Sequence, residues 1–271
     1  MIRFLTIAII LFLYLLLGIP VLLIERLIAK VNRQASDYQC LRLVQWTFRL
    51  MLKVAGVEVT VIGEENVPDE PVLFIGNHRS YFDILLTYSR CKRLTGYIAK
   101  KEMLRYPLLR DWMKRLYCLF LDRSTPKEGL KTILTAIDYI KQGISICIFP
   151  EGTRNTGEEL SMLPFHSGSF KIAEKTGCTI IPMSLNNTAA IFENHMPLVK
   201  KTHVILEYGK PIRLSEMDKE TRKHVASYCQ DLIQETIRKN PVPFVGAGFF
   251  FTFACTSAIM NPMYKSTVPV V

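Results

Sequence analysis

The sequence lacks several signatures that would assign it to a common class of site. Its seven cysteines form no C-x-x-C pair and its five histidines are dispersed, so no zinc-binding spacing is present. No G-x-x-x-x-G-K-[ST] loop occurs, and "HSGS" lacks the first glycine of a nucleophile elbow. Zinc binding, nucleotide hydrolysis and α/β-hydrolase chemistry therefore gain no support. The odd number of scattered cysteines indicates reduced thiols and a reducing compartment.

Apolar residues and positive charge are plentiful. With 271 residues, of which 49% are hydrophobic, the chain can bury a sizeable core in one or two domains and is unlike a disordered protein. An excess of 34 basic over 24 acidic residues gives a net charge of +10. This charge favours anionic partners, which include nucleic acid, acidic lipid and phosphorylated substrates.

The apolar N-terminal segment favours lipid among these anionic partners. No charged residue occurs from Phe4 to Ile24, and a helix of that length spans roughly 30 Å, about the thickness of a bilayer core. A retained membrane anchor is predicted over a cleaved signal peptide, because the run is long and no small-x-small site follows it. Gly18 and Pro20 interrupt the run and allow a bend. The basic domain downstream is expected on the cytoplasmic face, with an anionic membrane surface and no nucleic acid as partner.

Two further segments have alternative interpretations. Residues 38–55 form an amphipathic helical pattern with a basic side, suited either to a membrane surface or to packing on the core, or to both. Residues 240–264 carry no charge and are either an apolar tail folded on the domain or a second membrane-contacting segment. The predicted domains are an anchor and amphipathic helix at 1–55, a main domain at 56–239 and a tail of unknown role at 240–271.

Between these segments, short apolar runs alternate with helical patterns, which predicts an α/β fold: a largely parallel or mixed sheet flanked by helices, preceded by a membrane-associated two-helix segment. Strands are predicted at 57–62, 72–76, 96–99, 117–121, 144–149, 179–185 and 203–209. Helices are predicted at 83–90, 126–142, 167–176 and 215–239.

The stretch "NHRSYFD" follows one buried strand and contains His78 and Asp83. A carboxylate that accepts from one imidazole nitrogen leaves the other nitrogen basic, which suits proton abstraction from a hydroxyl. The alternative is a helix-capping Asp83 beside a turn histidine.

A second stretch, "IFPEGTRN", presents Glu151 and Arg154 on a loop after another apolar strand. A guanidinium with nearby backbone amides suits a phosphate, although a simple Glu–Arg ion pair would explain the same residues. Arg123 in "CLFLDRS" and Pro182 in "CTIIPMSL" also occur at breaks in apolar runs. If the strands are parallel, these positions gather at one edge of the sheet.

Together "NHRSYFD", "FLDR", "FPEGTR" and "IIPMS" resemble, in order and spacing, the four blocks of the glycerolipid acyltransferase family, and most of all its 1-acylglycerol-3-phosphate (lysophosphatidic acid) acyltransferases. The resemblance covers about residues 55–210, and the two-helix N-terminus resembles the family's membrane-dipping segment. It implies acyl transfer from acyl-CoA or acyl-carrier protein to lysophosphatidic acid, which gives phosphatidic acid without a cofactor or metal.

The resemblance also implies residue roles. His78 is the general base and Asp83 its partner. The phosphate-binding set is Glu151, Gly152, Thr153 and Arg154 of the third block, with Arg123 and Lys100. Pro182 would shape the acyl site.

The chain departs from the family pattern at Asn155, where serine is common, at His166–Ser167 and at Arg110, which concern substrate preference more than chemistry. Alternatives are a relative that acts on another lysophospholipid or on glycerol 3-phosphate, a hydrolase, and a non-enzymatic lipid-binding protein.

Overall fold

The computed structural model describes residues 1–123, 125–158 and 160–240. The apolar tail that the sequence suggests lies almost wholly outside the described residues, from residue 241 onward.

Within the described residues, seven strands form one mixed sheet, which confirms the predicted fold class. The strands are β1 (Val57–Ile62), β2 (Leu73–Gly76), β3 (Thr95–Lys100), β4 (Leu119–Leu121), β5 (Ser145–Ile148), β6 (Ile180–Asn186) and β7 (Thr202–Tyr208). Their order is β1-β7-β6-β2-β5-β3-β4, and every neighbouring pair is parallel except β6 with β7. Residues that leave β2, β5, β3 and β4 therefore emerge at one edge of the sheet.

Helices cover both faces of the sheet, which explains why its central strands are largely apolar. They are α1 (Ile2–Val31), α2 (Arg33–Ala55), α3 (Phe82–Tyr88), α4 (Pro107–Arg115), α5 (Pro126–Lys141), α6 (Lys171–Thr176), α7 (Lys219–Lys223) and α8 (Val225–Lys239). Every residue of β2, β5 and β6 is buried, as expected for strands with helices on both sides. One apolar cluster joins the sheet to α2 and α3, and the other joins it to α5, α6 and α8.

The helices that the sequence predicts differ from the structure in two places. Helix α4 was missed, because only Trp112 of its residues is fully buried and a single buried position gives no apolar stripe. The predicted helix 215–239 is two helices separated at His224, and only α8 buries a regular face. Gly18 and Pro20, which the sequence suggested could allow a bend, do not end the helix, since α1 continues through both to Val31.

Helix α1 lies along the domain and does not project from it. Its Phe4 ring stacks on Phe192 with centroids 5.6 Å apart, and its Tyr14 ring lies 5.0 Å from that of Trp112. Gly18 permits a close approach to Trp112, because a Cβ there would lie 2.6 Å from the Trp112 Nε1 atom. One face of α1 is thus held by protein along most of its length. Among the described helices, α1 alone is long and apolar enough to cross a membrane.

A buried polar cluster joins the α1–α2 hairpin to the rest of the domain. The Asp37 carboxylate, on a residue only 2% exposed, accepts from Arg115 and Tyr117, and from Arg33 Nε at 3.2 Å. Arg115 also donates to Ser36 Oγ at 2.5 Å. Since Arg115 ends α4 and Tyr117 follows it, these contacts connect the N-terminal helices to a distant part of the chain.

Replacement of Asp37 by alanine is expected to destabilise the protein by about 3–5 kcal/mol, because the buried Arg115 guanidinium would lose its carboxylate. The measurement is thermal unfolding of the detergent-solubilised protein. Asp69→Ala is the matched control: its side chain is 94% exposed and its pair with Arg93 should contribute at most about 1 kcal/mol. Equal melting temperatures for the two variants would contradict a stabilising role of the cluster.

Candidate active site

The histidine and aspartate of "NHRSYFD" are in direct contact. His78 Nδ1 lies 2.8 Å from Asp83 Oδ2, and the imidazole stacks on the Phe149 ring at a centroid distance of 4.4 Å. The His78 side chain is 18% exposed, whereas that of Asp83 is fully buried. With Asp83 ionised, Nδ1 carries the proton and Nε2 is the basic nitrogen.

Asp83 is held by the turn that it closes. Its Oδ2 atom also accepts from the backbone amides of Arg79 (2.7 Å) and Ser80 (2.8 Å). The turn is fixed to the sheet at Asn77, whose side chain bonds both the N–H and the carbonyl of Leu185 in β6 at 2.8 Å. Asp83 does not cap α3, because the helix begins at Phe82 and the amides that Asp83 binds precede it; the carboxylate is shared by these turn amides and the imidazole.

Glu151 connects the loop after β5 to the turn after β2. Its two carboxylate oxygens accept from the amides of His78 (2.8 Å) and Leu163 (2.9 Å). Burial raises the pKa of the Glu151 carboxyl, and these amides oppose that rise. Glu151 was predicted among the phosphate-binding residues. In the structure its carboxylate binds protein amides, and any contribution to a phosphate site would therefore be through loop position.

Asn155, one of the positions that depart from the family pattern, reinforces this connection. Its backbone N–H donates to the His78 carbonyl at 2.7 Å. Its side chain accepts from Gly157 N at 2.8 Å and donates to the Ser161 carbonyl at 2.7 Å. Arg79 reaches the same loop through the Gly157 carbonyl at 2.7 Å. The buried asparagine therefore shapes the segment 155–161 against the turn that contains His78.

Four of the predicted phosphate-binding residues lie together. Lys100 Nζ, at the end of β3, lies 3.1 Å from Thr153 Oγ1. A Cβ on Gly152 would overlap the Arg123 guanidinium, which places Arg123, just after β4, on that glycine. Gly152 also has a φ of +70°, a second reason for glycine there. Lys100, Arg123 and Thr153 are exposed, so this group presents positive charge to solvent.

Arg154 points to a different set of partners. Its guanidinium lies 3.6 Å from the centroid of the Tyr81 ring and donates to the Tyr81 hydroxyl at 2.9 Å. Its Nη1 atom donates to Glu193 at 3.2 Å. The Glu151–Arg154 ion pair considered as an alternative is not what the structure shows, because Glu193 takes that place.

Pro182 lies inside β6, as the predicted strand 179–185 implies, and it does not interrupt the strand. It is buried beside Ile75 of β2, and its carbonyl accepts from Gly209 N at 2.8 Å. The ladder with β7 begins only at Met183, so the missing N–H of the proline costs no strand pairing. Pro182 is therefore part of the sheet beneath the turn, and its predicted influence on an acyl site would act through that sheet.

Sequence reasoning missed Phe149, Tyr81 and Glu193. Phe149 and Tyr81 stand inside the quoted motifs, but their contacts with His78 and Arg154 follow from how the two loops pack. Glu193 lies outside every motif, in a segment without regular apolar periodicity, and no sequence signal marked it.

The assembled site combines a buried acid, a partly exposed imidazole and an adjacent cationic group. Such a set can remove a proton from a hydroxyl while it binds an anion nearby. Cys147 in β5 is the cysteine closest in sequence to Glu151. It is fully buried, and burial raises the pKa of its thiol well above the usual value. It is therefore poorly suited to act as a nucleophile.

Comparisons with known proteins agree with this picture. A family model described as "Acyltransferase" matches residues 58–186. The 1-acyl-sn-glycerol-3-phosphate acyltransferase of Saccharomyces cerevisiae is 29% identical, with 73% of this chain and 67% of that protein covered. The enzyme of the same name from Borreliella burgdorferi is 31% identical, with 64% and 70% covered. The chain spans about two thirds of the length of these curated relatives.

A solved structure shares the fold. The crystal structure of the 1-acyl-sn-glycerophosphate (LPA) acyltransferase PlsC from Thermotoga maritima aligns with a TM-score of 0.74 and 22% identity, and the alignment covers 88% of this chain and 95% of that chain.

Glu151→Gln is expected to destabilise the protein by about 1–3 kcal/mol, because the new amide group donates where an oxygen now accepts and leaves one buried N–H unsatisfied. The measurement is thermal unfolding, with the exposed Glu174→Gln as the matched control. A Glu151→Gln variant as stable as this control would refute the role assigned to the carboxylate.

Proposed function

Since the chain belongs to the glycerolipid acyltransferase family, we propose that it transfers an acyl chain to the free hydroxyl of lysophosphatidic acid and so forms phosphatidic acid. The observation that carries the proposal is the His78–Asp83 pair, with its 2.8 Å contact, in a turn directly bonded to the loop that bears the cationic group. The relatives named above carry this activity in their names.

In the proposed reaction His78 is the general base. Its Nε2 atom takes the proton of the acceptor hydroxyl as the hydroxyl oxygen attacks the thioester carbonyl carbon of the donor. The tetrahedral intermediate then collapses with cleavage of the C–S bond, and the imidazolium returns the proton to the departing thiolate. Asp83 keeps the ring oriented and stabilises its charged state.

The acceptor phosphate is assigned to the exposed group of Lys100, Arg123, Gly152 and Thr153, with Arg154 at its side. A guanidinium and an ammonium suit a phosphate by charge and by hydrogen-bonding geometry. Glu151 supports this group by holding the loop in place. Arg110 lies in α4 and has no assigned part in the reaction.

The donor is proposed to be acyl-CoA or acyl-carrier protein, and the transfer to be direct. Two substrates held in one site gain much of their rate from proximity, so an acyl-enzyme is not needed. Pro182 would affect the acyl group only through the β-sheet on which the site rests.

His78→Ala is expected to reduce transfer by about two to four orders of magnitude, because the general base is lost. Transfer is measured as acceptor-dependent thiol release from acyl-CoA and from acyl-carrier protein, with a panel of lysophosphatidic acid, other lysophospholipids and glycerol 3-phosphate. His224→Ala, a substitution of the exposed histidine between α7 and α8, serves as control and should retain activity.

The panel separates the alternatives. Thiol release without an acceptor would indicate a hydrolase, and no release at all would indicate a lipid-binding protein. Wild-type turnover by folded His78→Ala would contradict the mechanism, and preference for another acceptor would reassign the substrate.

We further propose that the outer face of α1 enters a lipid bilayer and that the domain lies on the cytoplasmic side. Large apolar side chains that include Leu13 and Leu17 are exposed along this face, while the opposite face packs on the protein. A helix held in this way can insert one side into the membrane interface. The exposed Trp46 and Arg42 of α2 would contact the headgroup region beside it.

Replacement of Leu13 and Leu17 by aspartate is expected to weaken binding to vesicles that contain phosphatidic acid by about tenfold or more, because charged groups replace apolar surface at the membrane. Co-sedimentation measures the effect. Leu130→Asp tests an equally exposed leucine on α5 and should bind like wild type. If the variant with both Leu13 and Leu17 replaced bound vesicles as well as Leu130→Asp, α1 would not be the membrane contact.

A further inference from the structure

A glutamate outside the family motifs contacts both loops of the site. Glu193 begins a 3-10 helix, Glu193–His195, in the segment between β6 and β7. Its side chain is only 11% exposed. Oε2 accepts from Ser80 Oγ at 2.6 Å, whereas Oε1 accepts from Tyr81 N at 2.7 Å and from Arg154 Nη1 at 3.2 Å. One carboxylate thus contacts both loops of the site.

The first pair of contacts secures the turn between His78 and Asp83. Ser80 donates its backbone amide to Asp83 at 2.8 Å, and its hydroxyl both donates to Glu193 and accepts from Phe82 N at 3.0 Å. Glu193 therefore fixes Ser80, and the backbone amide of Ser80 in turn bonds Asp83.

The remaining contact fixes Arg154. The guanidinium rests on the Tyr81 ring, bonds the Tyr81 hydroxyl and pairs with Glu193 on its Nη1 side. An arginine side chain has many rotamers, and an anion site gains affinity when they are restricted before the anion arrives. Tyr81 and Glu193 together provide that restriction. The side chain remains 30% exposed, so an incoming anion can reach it.

Glu193 itself has little freedom. The preceding Ile191 is fully buried, and its carbonyl accepts from Lys200 N at 2.9 Å, which closes the segment into a loop. Phe192, next to Glu193, is the residue that stacks on Phe4 of α1. The carboxylate is thus mounted on a loop anchored in the core and against the N-terminal helix.

We propose that Glu193 is a positioning residue for the acceptor: it orients Arg154 on the Tyr81 ring so that the guanidinium is ready to meet the phosphate of a phosphomonoester lysolipid. The inference rests on the proposed function and adds a determinant of acceptor recognition. The Glu193 carboxylate is paired with Arg154 and accepts hydrogen bonds from Ser80 and Tyr81, which limits its repulsion of the bound phosphate.

A double-mutant cycle on Glu193 and Arg154 tests the proposal. Glu193→Gln keeps an oxygen for Tyr81 N and an amide for the Ser80 hydroxyl, but removes the charge that pairs with Arg154. It should raise the KM for lysophosphatidic acid about tenfold, with kcat within about twofold of wild type and the donor KM unchanged. In an Arg154→Ala background the same change should have no additional effect on the acceptor KM.

Two variants guard the interpretation. Glu220→Gln, on exposed α7, controls for loss of one negative charge and should behave as wild type. Arg154→Lys tests the contact with Glu193 intact: an ammonium cannot stack on Tyr81 and fork between two partners as the guanidinium does. It should raise the acceptor KM without a change in melting temperature, and an unchanged acceptor KM would count against the proposal.

The outcomes separate the two proposals. A Glu193→Gln variant that loses kcat, donor affinity and thermal stability together, with effects additive to Arg154→Ala, would show a purely structural role and overturn the inference alone. Wild-type protein that transfers acyl groups to no phosphate-bearing acceptor would overturn the proposed function, and the inference with it.

Discussion

A carboxylate with no solvent exposure must be compensated by donors, and Asp83 finds them within its own turn. One oxygen takes the His78 ring nitrogen and the amides of Arg79 and Ser80, all within 2.7 to 2.8 Å. The orientation of the imidazole and the conformation of the turn are therefore not independent, because the ring cannot rotate away without removing a donor from a buried charge. Asn77, Glu151 and Asn155 keep this turn in place through their own hydrogen bonds.

Two other carboxylates near the turn are also used on protein donors. Glu151 bonds the amides of His78 and Leu163, and Glu193 bonds Ser80, Tyr81 and Arg154. Acidic groups beside a site for an anionic substrate would otherwise repel it. Because their charge is engaged by protein donors, these two carboxylates detract little from the positive charge that Lys100 and Arg123 present to solvent. The loops gain rigidity from the same interactions.

The N-terminal helices are part of the domain as well as its proposed contact with lipid. Phe4 stacks on Phe192 beside Glu193, and Asp37 bonds Arg115 and Tyr117. The position of α1 relative to the site is thus fixed by packing at both ends of the hairpin. In the proposed function this geometry matters, since the acceptor hydroxyl must travel from the membrane surface to His78.

The sequence by itself determined the strands, the helix at 126–142 and the adjacency of His78 and Asp83, because short apolar runs, Pro126 and a five-residue spacing are local features. It also indicated that parallel strands would bring the motifs to one edge. Only the tertiary structure decided that Arg154 pairs with Glu193 and that Glu151 binds amides. Ser80 and Glu193 are 113 positions apart, and which distant side chains meet depends on strand order and loop packing, which no local pattern encodes.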